Sequence, residues 1–120
     1  MTIKYESKVT AVGRMAQEFL DNNSSFILMD EGKHPNLADT VVQHTVAELK
    51  ADVVEGDIIK VGRTEMKILK VGDAVNKNLR EIGHCTVVVN GEATLPGQIA
   101  VKSDIPPRLR IGNEVTIFAK

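Results

Sequence analysis

The sequence of this 120-residue chain predicts an all-β fold, a single closed or nearly closed β-barrel with two short helices. Short runs rich in Val, Ile and Thr recur along the chain, and turn residues bound each of them. Two segments with helical spacing interrupt these runs. We expect the barrel to be closed because closure removes the exposed edges that many short strands otherwise leave.

The first predicted strand spans residues 3–12, and the polar turn at 22–25 precedes the second. Asn90-Gly91 follows three valines and predicts a tight hairpin, since both residues tolerate the positive φ of a type I′ turn. Residues 30–39 are predicted to form a loop, and Ile105-Pro106-Pro107 an extended connector. No internal repeat is evident. The other strand-like runs are 26–29, 40–46, 58–61, 66–71, 85–89, 98–101 and 114–118.

Two helices are predicted, over residues 14–20 and 74–82. In the first, Met15 and Phe19 lie four residues apart and therefore on one face. Asp73 is expected to cap the start of the second helix, and Gly83 to end it.

Composition narrows the class of protein. A formal net charge of −1, three phenylalanines, one tyrosine and no tryptophan argue against nucleic-acid binding. No apolar run is long enough to span a membrane, and the N-terminal residues do not resemble a signal peptide. One cysteine excludes an intrachain disulfide and fits a reducing compartment. We therefore expect one cytoplasmic domain over residues 1–120, without direct membrane insertion.

Sequence motifs for common cofactors, catalytic nucleophiles and zinc sites are absent. It contains no phosphate-binding loop that ends in Lys-Ser or Lys-Thr, and no Gly-x-Gly-x-x-Gly after a strand. A nucleophile elbow of the Gly-x-Ser-x-Gly type is also missing. The three histidines lack the spacing of a zinc site, so we expect neither a metal nor another cofactor.

The histidines are the best candidates for chemistry. Strand alternation places His44 with Val42 and Val46, an apolar setting that favours a neutral, nucleophilic imidazole. A core histidine bonded to a backbone carbonyl fits the same pattern equally well. His84 shares the more polar face of its strand, and His34 is expected to be exposed in a loop. Cys85 alternates with Val87 and Val89, which indicates a core residue rather than a nucleophile.

One string, Asn78-Leu79-Arg80-Glu81-Ile82-Gly83-His84, is long and unusual. Gln43-His44 and Glu48-Leu49-Lys50 precede it, and weaker matches stand in the same order at Val12-Gly13, Glu31-Gly32 and Leu95-Pro96-Gly97. Together these residues resemble the glucitol/sorbitol-specific enzyme IIA component of the phosphotransferase system (PTS). The chain departs from the family at Val46, where other members carry a second histidine.

This resemblance implies a phosphocarrier that takes part in the uptake and phosphorylation of glucitol or sorbitol. His44 would accept a phosphoryl group from the histidine-containing phosphocarrier protein (HPr) and pass it to a cysteine of the IIB domain. By analogy with other phosphocarriers, His84 would assist, with Arg80 a weaker candidate. His84 could assist only if its strand neighboured that of His44, with both rings on the same side.

Two other functions stay open. The first is a non-catalytic β-barrel module that acts as a protein-binding adaptor. The second is a regulatory homologue that keeps the fold but has lost the transport role.

Overall fold

The computed structural model describes residues 1–120 and contains eight strands and two helices. Most observed bounds lie within two residues of the predicted ones. No helix is both long enough and apolar enough to cross a bilayer. The elements are β1 Thr2–Val12, α1 Ala16–Asn23, β2 Ser25–Asp30, β3 Val42–His44, β4 Ile58–Val61, β5 Thr64–Val71, α2 Val75–Ile82, β6 Cys85–Val89, β7 Gln98–Lys102 and β8 Glu114–Ala119.

The strands form a closed barrel in the order β1-β3-β2-β6-β7-β5-β4-β8, which confirms the predicted fold class. Most neighbours are antiparallel, but β2 with β3 and β6 with β7 are parallel. The predicted hairpin at Asn90-Gly91 is therefore wrong. Of these two residues only Asn90 has a positive φ (56°), whereas a type I′ turn needs a positive φ at both. The 91–97 loop instead carries the chain back, so that β7 runs beside β6 in the same direction.

The helix ends differ from the predicted ones in detail. The N-cap of α2 is Ala74, and no side chain caps this helix, so the predicted role of Asp73 is wrong. Gly83 does end α2, in the left-handed conformation. Helix α1 begins at Ala16 and ends beside Ser24, which has the same conformation.

The barrel consists of two similar halves, a repeat that the sequence did not reveal. The order β1-α1-β2-β3-β4 recurs as β5-α2-β6-β7-β8. In the first half, β1 pairs antiparallel with β3, and β3 is parallel to β2. In the second half, β5 pairs antiparallel with β7, and β7 is parallel to β6. Gly56 before β4 and Gly112 before β8 have nearly equal φ angles, 95° and 94°. Since β4 pairs with β5 and β8 with β1, each half supplies its last strand to the other.

Apolar side chains from all eight strands and both helices fill the interior. One buried ion pair fastens the 50–57 segment to β1: Lys4 Nζ lies 2.8 Å from Asp57 Oδ2. Lys4 also donates a hydrogen bond to the Asp52 carbonyl, and Asp57 accepts one from the Val54 N–H, so both charges are compensated.

Candidate functional site

His44 is the last residue of β3, and its side chain is completely buried. The ring packs edge-on against Tyr5 of β1, with ring centroids 5.9 Å apart and an interplanar angle of 86°. Val42 is buried on the same face, as alternation predicts, but Val46 is 62% exposed because β3 ends at His44. The imidazole thus lies inside the barrel wall, where the β2 and β3 strands end.

Both ring nitrogens of His44 face backbone carbonyl oxygens. Nδ1 is 2.9 Å from the carbonyl oxygen of Thr45, and Nε2 is 2.9 Å from that of Gly83. A carbonyl oxygen only accepts hydrogen bonds, and a neutral imidazole carries one N–H. Both bonds can form together only when the ring is doubly protonated. A neutral ring must leave one nitrogen unbonded.

Asp30, the last residue of β2, supplies a carboxylate beside this ring. Its Oδ1 lies 3.9 Å from His44 Nδ1 and is buried without a hydrogen-bond partner. Burial raises the pKa of Asp30, although the nearby His44 and Lys33 lower it in part. The Tyr5 hydroxyl is also buried and unpartnered, and burial, reinforced by the Asp30 charge, raises the pKa of this phenol. Acceptors and negative charge therefore surround the ring.

Gly83 brings α2 and β6 against this cluster. A Cβ atom at this position would overlap Asp30 Oδ1 and lie 2.9 Å from His44 Cε1. In the other half of the barrel, the Ser24 carbonyl accepts a 2.7 Å bond from the Val89 N–H. The matching bond, from the Asp30 N–H to the Gly83 carbonyl, is not formed. The His44 ring occupies that acceptor instead.

His84 does not meet the conditions that an assisting role requires. Its strand, β6, does not pair with β3, because β2 lies between them. His84 is half-buried and alternates with the inward-facing Cys85, so its ring lies on the opposite face of the wall from His44. Its Nδ1 is 3.3 Å from the Leu28 carbonyl oxygen. The expectation that the strand starting at His84 neighbours the strand of His44 is therefore wrong.

The remaining candidates take structural or surface positions. Arg80 is exposed on α2 and forms a 2.7 Å ion pair with Asp52. His34 is exposed in the loop between β2 and β3. Cys85 is completely buried, and burial raises the pKa of its thiol to about 12. No group of three His, Cys, Asp or Glu side chains is arranged to hold a metal ion.

Sequence reasoning missed Asp30 and Tyr5 as members of this cluster. The sequence predicts a loop from Asp30 onward, yet the parallel pairing of β2 and β3 places Asp30 directly opposite His44. The sequence does offer one signal for Asp30. It directly follows the predicted strand 26–29, so a strand one residue longer would include it.

Comparisons with known proteins agree on one family. A family model described as the PTS system glucitol/sorbitol-specific IIA component matches residues 4–116. The glucitol/sorbitol-specific EIIA components of Shigella flexneri and Escherichia coli K12 are each 30% identical over 115 residues, covering 94% of this chain and 93% of theirs. A crystal structure of a PTS system IIA component from Enterococcus faecalis V583 has the same fold, with a TM-score of 0.84 at 24% identity. The match covers 95% of this chain and 99% of that one.

Proposed function

Because the chain belongs to the glucitol/sorbitol-specific IIA family of the PTS, we propose that it is a phosphocarrier with His44 as its phosphoacceptor. HPr donates the phosphoryl group in the cytoplasm, and a cysteine of the IIB domain receives it during glucitol or sorbitol uptake. Neither step needs a metal or nucleotide in this protein, since donor and acceptor are both protein side chains. Phosphoryl transfer depends mainly on positioning and charge stabilisation.

One observation carries the proposal. At the position that the family resemblance gives as the acceptor, an imidazole is held inside the barrel beside a carboxylate, and its Nε2 faces the carbonyl of a glycine. Nδ1 faces the Thr45 carbonyl, which belongs to the next residue of the chain. Nε2 faces Gly83, on a different element. We therefore assign Nε2 as the nitrogen that takes the phosphoryl group.

Complete burial of His44 requires a movement before transfer. A partner's phosphoryl group reaches Nε2 only after the Gly83 carbonyl withdraws from it. The junction between α2 and β6 is suited to this movement, because Gly83 has no Cβ atom and its backbone has more accessible conformations than that of other residues. In this proposal His84 serves by holding the start of β6 through the Leu28 carbonyl, and it does not bind the phosphoryl group itself.

The test is incubation with enzyme I, HPr and phosphoenolpyruvate, followed by intact mass. We expect an acid-labile gain of one phosphoryl group in the wild-type protein, and none in His44→Gln. His34→Gln is the matched control, since it removes an exposed histidine outside the cluster and should be labelled normally.

Full labelling of His44→Gln contradicts the assignment of the acceptor. An unlabelled wild-type protein favours the adaptor, and a labelled protein that fails to transfer to IIB favours the regulatory homologue. Slow transfer by His84→Ala with normal final labelling would agree with its supporting role, and loss of labelling would contradict it.

A further inference from the structure

The strongest unexplained feature of the barrel is the buried Asp30 carboxylate. Its Oδ1 has no hydrogen-bond partner and lies 3.9 Å from Nδ1 of His44. Native proteins leave few buried polar atoms unpaired, because each costs free energy. A carboxylate kept in this state therefore calls for a reason other than the stability of the fold.

The repeated architecture of the barrel offers an internal comparison. Asp30 pairs with His44 across β2 and β3, and at the same register in the other half Val89 pairs with Val101. Both valines are buried. An apolar pair is therefore compatible with the fold at this position, and only one half of the barrel has a carboxylate–imidazole pair there.

We propose that Asp30 is a positioning residue for phosphoryl transfer, an inference that rests on the function proposed above. Its carboxylate keeps the proton of His44 on Nδ1, where the Thr45 carbonyl also accepts it. This leaves the lone pair of the neutral ring on Nε2, the nitrogen that faces Gly83. Fixing the tautomer of a reacting imidazole in this way is a well-established role of a neighbouring carboxylate.

The same carboxylate acts a second time, during the transfer itself. The reacting ring is the neutral form with its proton on Nδ1, and the Gly83 carbonyl withdraws from Nε2 before the transfer. The Nε2 lone pair then forms a bond to phosphorus while the bond from phosphorus to the donor nitrogen breaks, and that nitrogen keeps the electron pair. The His44 ring retains its Nδ1 proton and so becomes positively charged. Asp30 stabilises this charge, and a protonated phosphohistidine ring is also the better leaving group for the next step.

The pH dependence of the phosphorylated protein reports on this role, because hydrolysis of phosphohistidine is fastest when its ring is protonated. Without the carboxylate, the phosphorylated ring should lose its proton at lower pH, and the hydrolysis profile should move in that direction. Asp30 is the only carboxylate within 4 Å of either His44 ring nitrogen. The other titratable and charged groups around the pair are Tyr5 on β1, Glu31 and Lys33 after β2, and Cys85 at the start of β6.

The experiment compares the wild-type protein with Asp30→Asn and Asp57→Asn. Asp57 is a matched control, since its carboxylate is equally buried but is bound to Lys4. We expect Asp30→Asn to accept the phosphoryl group from phospho-HPr about tenfold more slowly or worse. Its hydrolysis profile, followed by intact mass, should move to lower pH. Asp57→Asn should lose thermal stability while its transfer rate and hydrolysis profile stay unchanged. Asp30→Val, which copies the residue in the other half, replaces Asp30→Asn if that variant does not fold.

A second measurement separates this inference from the proposed function. The ¹⁵N chemical shifts of the His44 ring in the unphosphorylated protein report which nitrogen carries the proton. We expect the Nδ1–H form in the wild-type protein and a loss of that preference in Asp30→Asn. Unchanged shifts, or an unchanged rate and hydrolysis profile, would overturn the positioning role. An unlabelled wild-type protein would refute the phosphocarrier assignment, and the ring shifts would still decide whether Asp30 fixes the tautomer of His44.

Discussion

Replacing Gly83 with alanine tests how tightly the cluster is packed. The backbone at Gly83 has φ of 60°, which costs a residue with a Cβ atom about 1–2 kcal/mol. The new methyl group would also overlap Asp30 Oδ1 and lie 2.9 Å from His44 Cε1. Forcing extra volume into a packed interior typically costs about 1–3 kcal/mol. We therefore expect Gly83→Ala to lower the free energy of unfolding by about 2–5 kcal/mol, a large part of the total for a domain of this size.

The assay is urea unfolding followed by circular dichroism, with Gly32→Ala as the matched control. Gly32 also has positive φ (74°), but a Cβ atom there would meet nothing within 4 Å. The free energy of unfolding of the control should therefore fall only by the conformational cost, about 1–2 kcal/mol. Equal losses in the two variants would show that Asp30 and His44 move aside freely, and would refute the view of a tightly packed cluster.

Two further predictions concern buried titratable groups. Cys85, whose thiol pKa is about 12, should not react with a disulfide reagent near pH 8 until the protein is unfolded, and rapid reaction of the folded protein would contradict its burial. The raised pKa of Asp30 means that the folded state binds its proton more tightly than the unfolded state does. Its contribution to stability is therefore present below the unfolded pKa and is lost as the pH rises through the folded pKa. Asp30→Asn should accordingly gain stability relative to the wild-type protein as the pH rises from acid to neutral, measured by urea unfolding. A relative loss over that range would mean that attraction to His44 outweighs the cost of burying the carboxylate.

Much of the barrel could be predicted from local patterns. Short runs rich in Val, Ile and Thr, bounded by turn residues, predict where the strands lie, and Gly83 ends α2 as its lack of a side chain suggests. Strand direction and partners could not be predicted in this way, because they depend on contacts between distant residues. Asn90-Gly91 shows the difficulty, since a strong local turn signal lies at a crossover between parallel strands.

The candidate site divides in the same way. The inward direction of His44 follows from the alternation of β3, and its choice as the candidate phosphoacceptor follows from the family resemblance. Its contact with Asp30 depends on the parallel pairing of β2 and β3, and its contact with Gly83 depends on where the chain passes from α2 to β6. No pattern within a short window contains that information. An assisting role for His84, expected by analogy with other phosphocarriers, requires neighbouring strands, but β2 separates the strands of His84 and His44.

The exchange of last strands between the two halves also determines how the chain can fold. Pairing of β1 with β8 joins Thr2 to Ala119, and pairing of β4 with β8 spans nearly half the chain. Contacts between residues so far apart in sequence slow folding, because a long loop must close before they form. On the ribosome, neither half can complete its own hydrogen bonding while β8 is still in the exit tunnel. The barrel therefore closes only after synthesis reaches its C-terminal strand, and until then the edges of β1 and β4 are open to chaperones or to a second nascent chain.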